Sequence, residues 1–341
     1  MSRGAHQATK IPYSGNKQEA LLGGTLGMGN PNALVTPLSI ETLGLEDWWH
    51  KMEQNTQKRK SVNNDAVSLR NTLNELTGAE WLYFTKSILN TAYPSEYGHE
   101  LRKAHGANKP PQLMAQLIEF FTKPRGRVLD PFAGVGGTLI GASICKQPRE
   151  AVGIEINPKW VNIYRQVLAE SQGELVPQQL LQGDCLKIMA TLEAESFDFI
   201  ATDPPYNIHF EQTMSNGHYA EQFANRRTDY DMRSDDAADL ANLTSYDGYL
   251  DAMEQVFAYC YTLLKPQKYM VVIVRNAYQR GEYMFTHVDL ARRARLHGFV
   301  PKGEIIWYQA GTRLRPYGYP SAYIPNIAHQ YIVVLQKPKK H

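Results

Sequence analysis

The run Phe197-Asp-Phe-Ile-Ala-Thr-Asp-Pro-Pro-Tyr206 carries the strongest chemical signal in the chain. Its first six residues, rich in aromatic and β-branched types, read as a buried strand that ends at Asp203-Pro204-Pro205-Tyr206. Two consecutive prolines can continue neither a helix nor a central strand, so they hold the backbone in an extended kink with its carbonyls aligned. The exocyclic amine of a nucleobase is a poor nucleophile because its lone pair is delocalised into the ring. A carboxylate at Asp203 and the carbonyl of Pro204 can each accept one of its N–H hydrogens, pyramidalise the nitrogen and aim its lone pair at an electrophile. Tyr206 offers a face for a base to stack on. The plain alternative is a strand-to-loop turn with ordinary proline and tyrosine.

A second constellation lies upstream. Arg127-Val-Leu-Asp130-Pro131-Phe132-Ala-Gly134-Val-Gly136-Gly-Thr138 reads as a strand, a glycine-rich turn and the start of an apolar helix. Gly134 and Gly136 remove side chains so that a ligand can lie against the backbone, and Thr138 can offer a hydroxyl at the helix N-terminus. No lysine follows the glycines, which disfavours a nucleoside triphosphate, and their spacing is not that of dinucleotide enzymes. Glu155 ends the next strand, where a carboxylate can accept both hydroxyls of a ribose. Asp184 follows the third strand, placed where it can meet the exocyclic amine of an adenine ring. Taken singly, each acid reads equally well as a helix N-cap.

Together these motifs resemble the S-adenosylmethionine-dependent amino methyltransferases that modify adenine or cytosine in DNA, over residues 95–338. The resemblance implies that Asp203, Pro204, Pro205 and Tyr206 hold the target amine and that Phe132, Gly134 and Gly136 hold the cofactor. Lys109 and Pro110, within Asn108-Lys-Pro-Pro-Gln-Leu113, resemble the segment that packs over the methionine end of that cofactor. Asp130, Pro131, Thr138, Glu155, Asp184 and Asp203 complete the expected cofactor set. His329 before an apolar run is similar to a late histidine of the family. The implied reaction is direct in-line methyl transfer to a base turned out of duplex DNA, without a covalent enzyme intermediate. Aspartate at the start of the catalytic motif favours adenine N6; cytosine N4, an RNA base or a protein amide are the alternatives. Family members that select their own site usually carry a sizeable recognition domain, so recognition is expected from residues 1–95, from 207–247, from the Arg313–Tyr323 loop, or from a partner subunit of a recognition or defence system.

These residues need a parallel sheet to bring them together. Short β-rich runs at Arg127–Asp130, Ala151–Glu155, Gln178–Gln182, Phe197–Thr202, Tyr269–Val274, Glu304–Tyr308 and Tyr331–Leu335 alternate with helix-length segments. The expected fold is α/β: a Rossmann-like class I methyltransferase with a seven-stranded, mostly parallel sheet, an antiparallel pair closing one edge, and a small N-terminal helical region. The domain reading is a flexible arm over 1–45, a helical subdomain over 46–95 and a methyltransferase domain over 96–341, interrupted by a polar insertion at 207–247 with eight acidic and three basic residues. Residues 275–319 invert that balance, with eight Lys or Arg against three acids. Arg313, Arg315, Tyr317 and Tyr319 suit contact with nucleic acid, while Arg292, Arg293 and Arg295 fit a solvated helix face equally well.

Across 341 residues, 43% hydrophobic and 21% charged side chains set aside disordered, collagenous and coiled-coil classes. The net charge of +2 announces no partner by itself. No apolar run approaches the roughly 20 residues a membrane span needs. With no secretory signal in view, a cytoplasmic location is expected. The three cysteines lack metal-ligand spacing, so neither a disulfide framework nor a metal is expected.

Overall fold

A computed structural model describes residues 66–205, 234–279 and 281–339. The expected arm, residues 46–65, Tyr206 and residues 207–233 of the insertion lie outside the described residues. In chain order the elements are α1 (Gly78–Phe84), β1 (Ile88–Leu89), α2 (His99–Arg102), a 3-10 turn (Lys103–His105), α3 (Pro111–Phe121), β2 (Arg127–Asp130), α4 (Gly137–Ile144), β3 (Glu150–Glu155), α5 (Pro158–Glu170), β4 (Gln179–Gln182), α6 (Cys185–Met189) and β5 (Phe197–Thr202). A second 3-10 turn (Leu240–Asn242), α7 (Tyr246–Leu263), β6 (Leu264–Val274), β7 (Ala277–Gln279), β8 (Glu282–Met284), α8 (Thr286–Leu296), β9 (Val300–Tyr308) and β10 (His329–Gln336) complete them.

The main sheet runs β1-β9-β10-β6-β5-β2-β3-β4. Its pairs are parallel except that β10 is antiparallel to both β6 and β9. Helices α3, α4 and α5 cover one face through Leu117, Ile118, Phe121, Leu139 and Tyr164; α6, α7 and α8 cover the other through Met189, Met253, Phe257, Leu263 and Leu290. Strands enclosed on both faces must be apolar at every position, which is why Val128, Leu129, Phe199, Ile200 and Val271–Ile273 are all buried. Each such large side chain contributes about 1.5–3 kcal/mol by leaving water. Start signals agree with this layout: Pro111 and Pro158 take the first helical turns of α3 and α5, and the Asn157 side chain accepts from Lys159 N at 3.0 Å.

Three features differ from the sequence reading. The sheet has eight strands instead of seven, because Ile88–Leu89 is too short to show a period of its own and forms only through parallel pairing with Ile306–Trp307. A separate β7–β8 hairpin adds two more strands. The antiparallel strand β10 is not at an edge; it returns between β6 and β9, where Val333 and Leu335 enter one core and Ile332 the other. In the expected helical stretch 46–95, the described part contains α1, while Val67 and Leu69 are exposed outside any helix. Asn71 offers the backbone a competing set of bonds, accepting from Leu73 N at 3.1 Å and Asn74 N at 3.0 Å. Buried Asn74 donates to the Phe120 carbonyl at 2.6 Å, and Phe84 stacks on Phe120 at 4.0 Å, so this stretch is fastened to α3.

Candidate active site

The carboxyl ends of β2, β3 and β5 meet in one cleft that is open to solvent. Its floor is the turn after β2. Asp130 is buried; its Oδ1 accepts Phe132 N–H at 3.0 Å and its Oδ2 accepts the Thr138 hydroxyl. Burial pushes the Asp130 carboxyl up to about 6, against these hydrogen bonds, which pull it down. The Thr138 hydroxyl therefore braces Asp130, although the residue still lines the cleft with Pro131 and Phe132.

The two glycines part company. Gly134 lines the cleft in the left-handed region at φ +52°, and a Cβ there would meet His105 Nε2 at 3.3 Å. Gly136, at φ +81°, is not among the lining residues; a Cβ would lie 2.2 Å from the Tyr164 ring. Close packing of α5 against the turn thus demands Gly136.

The strand-end acids divide in the same way. Glu155 Oε2 accepts Gly134 N–H at 2.8 Å and Oε1 accepts Asn157 N–H at 2.8 Å. Burial pushes its carboxyl up to about 7, although those bonds favour the charged form. Asp184 takes the N-cap alternative: its Oδ1 accepts Leu186 N–H at 2.9 Å at the start of α6, and Lys187 pairs with it at 3.6 Å. Gly183 and Cys185 line the cleft on either side, whereas Asp184 does not. Pro110 caps α3 and is likewise outside the lining.

Asp203, Pro204 and Pro205 stand directly after β5 and line the cleft. The Asp203 carboxylate pairs with the Lys109 ammonium, which arrives from the segment before α3. Strand β5 lies beside β2, so the acceptor motif and the glycine turn are neighbours across one strand spacing.

Sequence reasoning missed several lining residues. Asp239 and Leu240, at the far end of the insertion, return to the cleft; Asp239 is pinned by accepting Ser234 N–H at 2.7 Å and Ala241 N–H at 2.9 Å. Ile156 and Trp160 follow Glu155, and His105 sets its ring edge-on to Trp160 at 4.7 Å. Burial, with nearby Lys109, pushes His105 down to about 4, so its imidazole is neutral at pH 7. Nothing in the sequence separates Asp239 from Asp235 and Asp236 in the same polar run. A nucleoside with a cationic tail fits this lining: carboxylates at Glu155, Asp203 and Asp239, apolar walls at Phe132 and Ile156, and a wall left bare at Gly134. Among the described residues no cluster of metal-ligating side chains occurs and no helix is long and apolar enough to cross a membrane.

The 309–328 loop joins the carboxyl end of β9 to β10. Since β6 and β9 both pair antiparallel with β10, they run parallel, and the loop leaves the sheet at the cleft end. Arg313 and Tyr319 are exposed, whereas Arg315 and Tyr317 are half-buried. His329 opens β10 opposite Tyr308.

The profile of the family described as DNA methylase matches residues 12–166 and 197–341. M.Cfr9I, a type II methyltransferase of Citrobacter freundii, is 43% identical over 60 residues, 18% of this chain and 19% of that protein. A tRNA (guanine(10)-N2)-dimethyltransferase of Pyrococcus abyssi is 33% identical over 98 residues, 28% of each chain. Among solved structures, TrmN of Thermus thermophilus is similar over 70% of this chain and 53% of its own, at a TM-score of 0.44 and 16% identity. The chain spans less than a third of the length of either curated relative.

Proposed function

The chain belongs to the DNA methylase family, whose profile covers most of its length, and on that premise we propose that it methylates the exocyclic N6 of adenine in duplex DNA. The observation that carries this reading is the placement of Asp203-Pro204-Pro205 at the end of β5, in the same cleft as the Gly134 turn and Glu155. Bound S-adenosylmethionine supplies a methyl carbon made electrophilic by a sulfonium.

Each protein group has a part in this proposal. Glu155 accepts the ribose hydroxyls, the bare backbone at Gly134 lets the cofactor approach, and Phe132 and Ile156 flank it. The carboxylates of Glu155, Asp203 and Asp239 favour a cationic tail in a partly desolvated cleft. Asp203 and the Pro204 carbonyl accept the two N–H hydrogens of the target amine, so the nitrogen presents its lone pair in line and sheds one proton after transfer. Holding the reactants this way can remove roughly 7–11 kcal/mol from the barrier. A paired base cannot reach the cleft, so it is flipped out of the duplex. The adenine assignment rests on the aspartate that opens the motif. The 309–328 loop, at the same end of the sheet, is the proposed contact to the DNA backbone.

The test is transfer of labelled methyl to unmethylated genomic DNA and, in parallel, to transfer RNA, followed by digestion to nucleosides. The expected product is N6-methyladenine from DNA. Label in N4-methylcytosine would correct the base. Label confined to transfer RNA, the acceptor class of the Pyrococcus protein, would replace the DNA reading.

A further inference from the structure

We propose that Lys109 is a positioning residue for the transfer, holding the Asp203 carboxylate ionised and aimed into the cleft; this rests on the methyltransferase reading. The ammonium pairs with Asp203 Oδ2 and donates to the Ala107 carbonyl at 3.2 Å. Lys109 is 6% exposed and Asp203 16%, so both are largely removed from water.

The backbone that delivers this ammonium is fixed on two sides. The buried Arg102 guanidinium donates to the Lys109 carbonyl at 2.6 Å, and the Asn108 side chain donates to the Arg102 carbonyl at 3.0 Å. From the other side, a Cβ on Gly137 would come within 3.0 Å of the Lys109 carbonyl oxygen, so α4 opens with a glycine where this segment crosses it. Burial pushes Arg102 down only to about 10, which leaves it charged at neutral pH. A buried arginine spent on the backbone of a neighbouring lysine is costly unless that lysine must stand in one place.

The chemistry explains the need. Asp203 serves the amine only as an acceptor, and protonation would turn one of its oxygens into a donor. Asp130, at the end of β2, and the buried phenol of Tyr249, on α7, both interact electrostatically with Asp203. Asp130 and partial burial each favour protonation of Asp203, while Lys109, arriving ahead of α3, opposes it. Removing the lysine charge takes a counter-charge from a partly buried carboxylate that faces another carboxylate, and this favours proton uptake.

The deciding measurement is direct titration of Asp203 by carbon-13 NMR in protein labelled at the aspartate carboxyl, with Asp203→Asn assigning the resonance. In Lys109→Met the Asp203 midpoint should rise by about one pH unit or more, a tenfold gain in proton affinity, and Lys109→Arg should restore it. Lys109→Gln, which keeps a hydrogen-bond donor without charge, should behave as Lys109→Met and serves if that variant fails to fold. The acid limb of the pH profile of kcat should move in the same direction. An Asp203 midpoint unchanged in the neutral variants would overturn the proposal. Absence of methyl transfer by the wild type to every nucleic acid would overturn the methyltransferase reading while the titration still decided the Lys109–Asp203 coupling.

Discussion

Glu155 at the end of β3 grips the N–H of Gly134 in the turn after β2, at 2.8 Å, so one carboxylate ties two adjacent strand ends into a single wall. Its other oxygen accepts Asn157 N–H at 2.8 Å, which leaves the remaining lone pairs for a ligand's hydroxyls.

The titration of Glu155 follows from its burial. Its carboxyl is raised from the ordinary 4.5 to about 7, and Asp130 is raised to about 6. A carboxyl whose folded value exceeds its unfolded one favours the folded state fully below the unfolded value and loses that contribution as pH rises through the folded value. The cofactor-free protein should therefore lose melting temperature between about pH 4 and 7. Ligand hydroxyls favour the charged carboxylate, so S-adenosylhomocysteine should bind more tightly over the same interval. Glu155→Gln should weaken binding at least about tenfold and flatten its pH dependence. Calorimetric titration across pH, with thermal melts of the free protein, measures both; a pH-independent Kd in the wild type would exclude this role.

The two glycines of the turn should fail in different ways. Gly136→Ala places a methyl 2.2 Å from a Tyr164 ring carbon at φ +81°, so it should cost about 2 kcal/mol or more of stability. Gly134→Ala meets a softer contact at 3.3 Å, and its main effect should be on cofactor Kd. Urea denaturation and cofactor titration of both variants separate the cases. Equal loss of stability would contradict the division between packing and ligand approach.

How far these roles were legible varies with the distance over which each is decided. Arg127–Asp130 and Phe197–Thr202 appear as strands with the bounds read from sequence, because burial on both faces and a terminal Asp-Pro signal are local facts. Asp203 was legible because the prolines after it stop the strand at that residue. Asp184 and Asp239 were not separable: both cap short helical turns, and only the return of residues 238–240 from a distant insertion brings one of them to the cleft. The packing demand on Gly136 was not legible because it comes from Tyr164, a helix away. Strand β1 is two residues long and exists through its partner Ile306–Trp307, which no local pattern reveals.

Asp203 should separate binding from chemistry. Asp203→Ala removes an acceptor that the proposed mechanism needs in the transition state, so kcat should fall about 10²–10³-fold. Cofactor affinity should fall much less, because Glu155, Asp239 and the Gly134 turn remain when the Asp203 pull on the cationic tail is lost. Single-turnover transfer with calorimetric cofactor binding is the check. Full turnover in Asp203→Ala would remove this residue from the amine cradle.

The loop between β9 and β10 makes the last prediction, and Asn326 is its fulcrum. The Asn326 side chain accepts the Arg315 N–H through Oδ1 at 2.8 Å and donates through Nδ2 to the Arg315 carbonyl at 2.8 Å, so one amide closes residues 315–326 like a rung of sheet. Within that closure Tyr319 and Tyr323 are 82% and 85% exposed, and Leu314 beside it is 68% exposed. Rings this exposed can stack on a base, and under the DNA reading the arginines beside them would meet phosphate. Replacing Arg313 and Arg315 together by alanine should lower the slope of log Kd against log salt by about two for duplex DNA. Asn326→Leu should weaken duplex binding about tenfold while leaving that slope and the cofactor Kd in place, since it removes the clamp and no charge. Fluorescence anisotropy over a salt series reads both quantities. An unchanged slope in the double arginine variant would move the DNA contact away from this loop, and an Asn326→Leu protein with wild-type affinity would show that the loop holds its shape without the clamp.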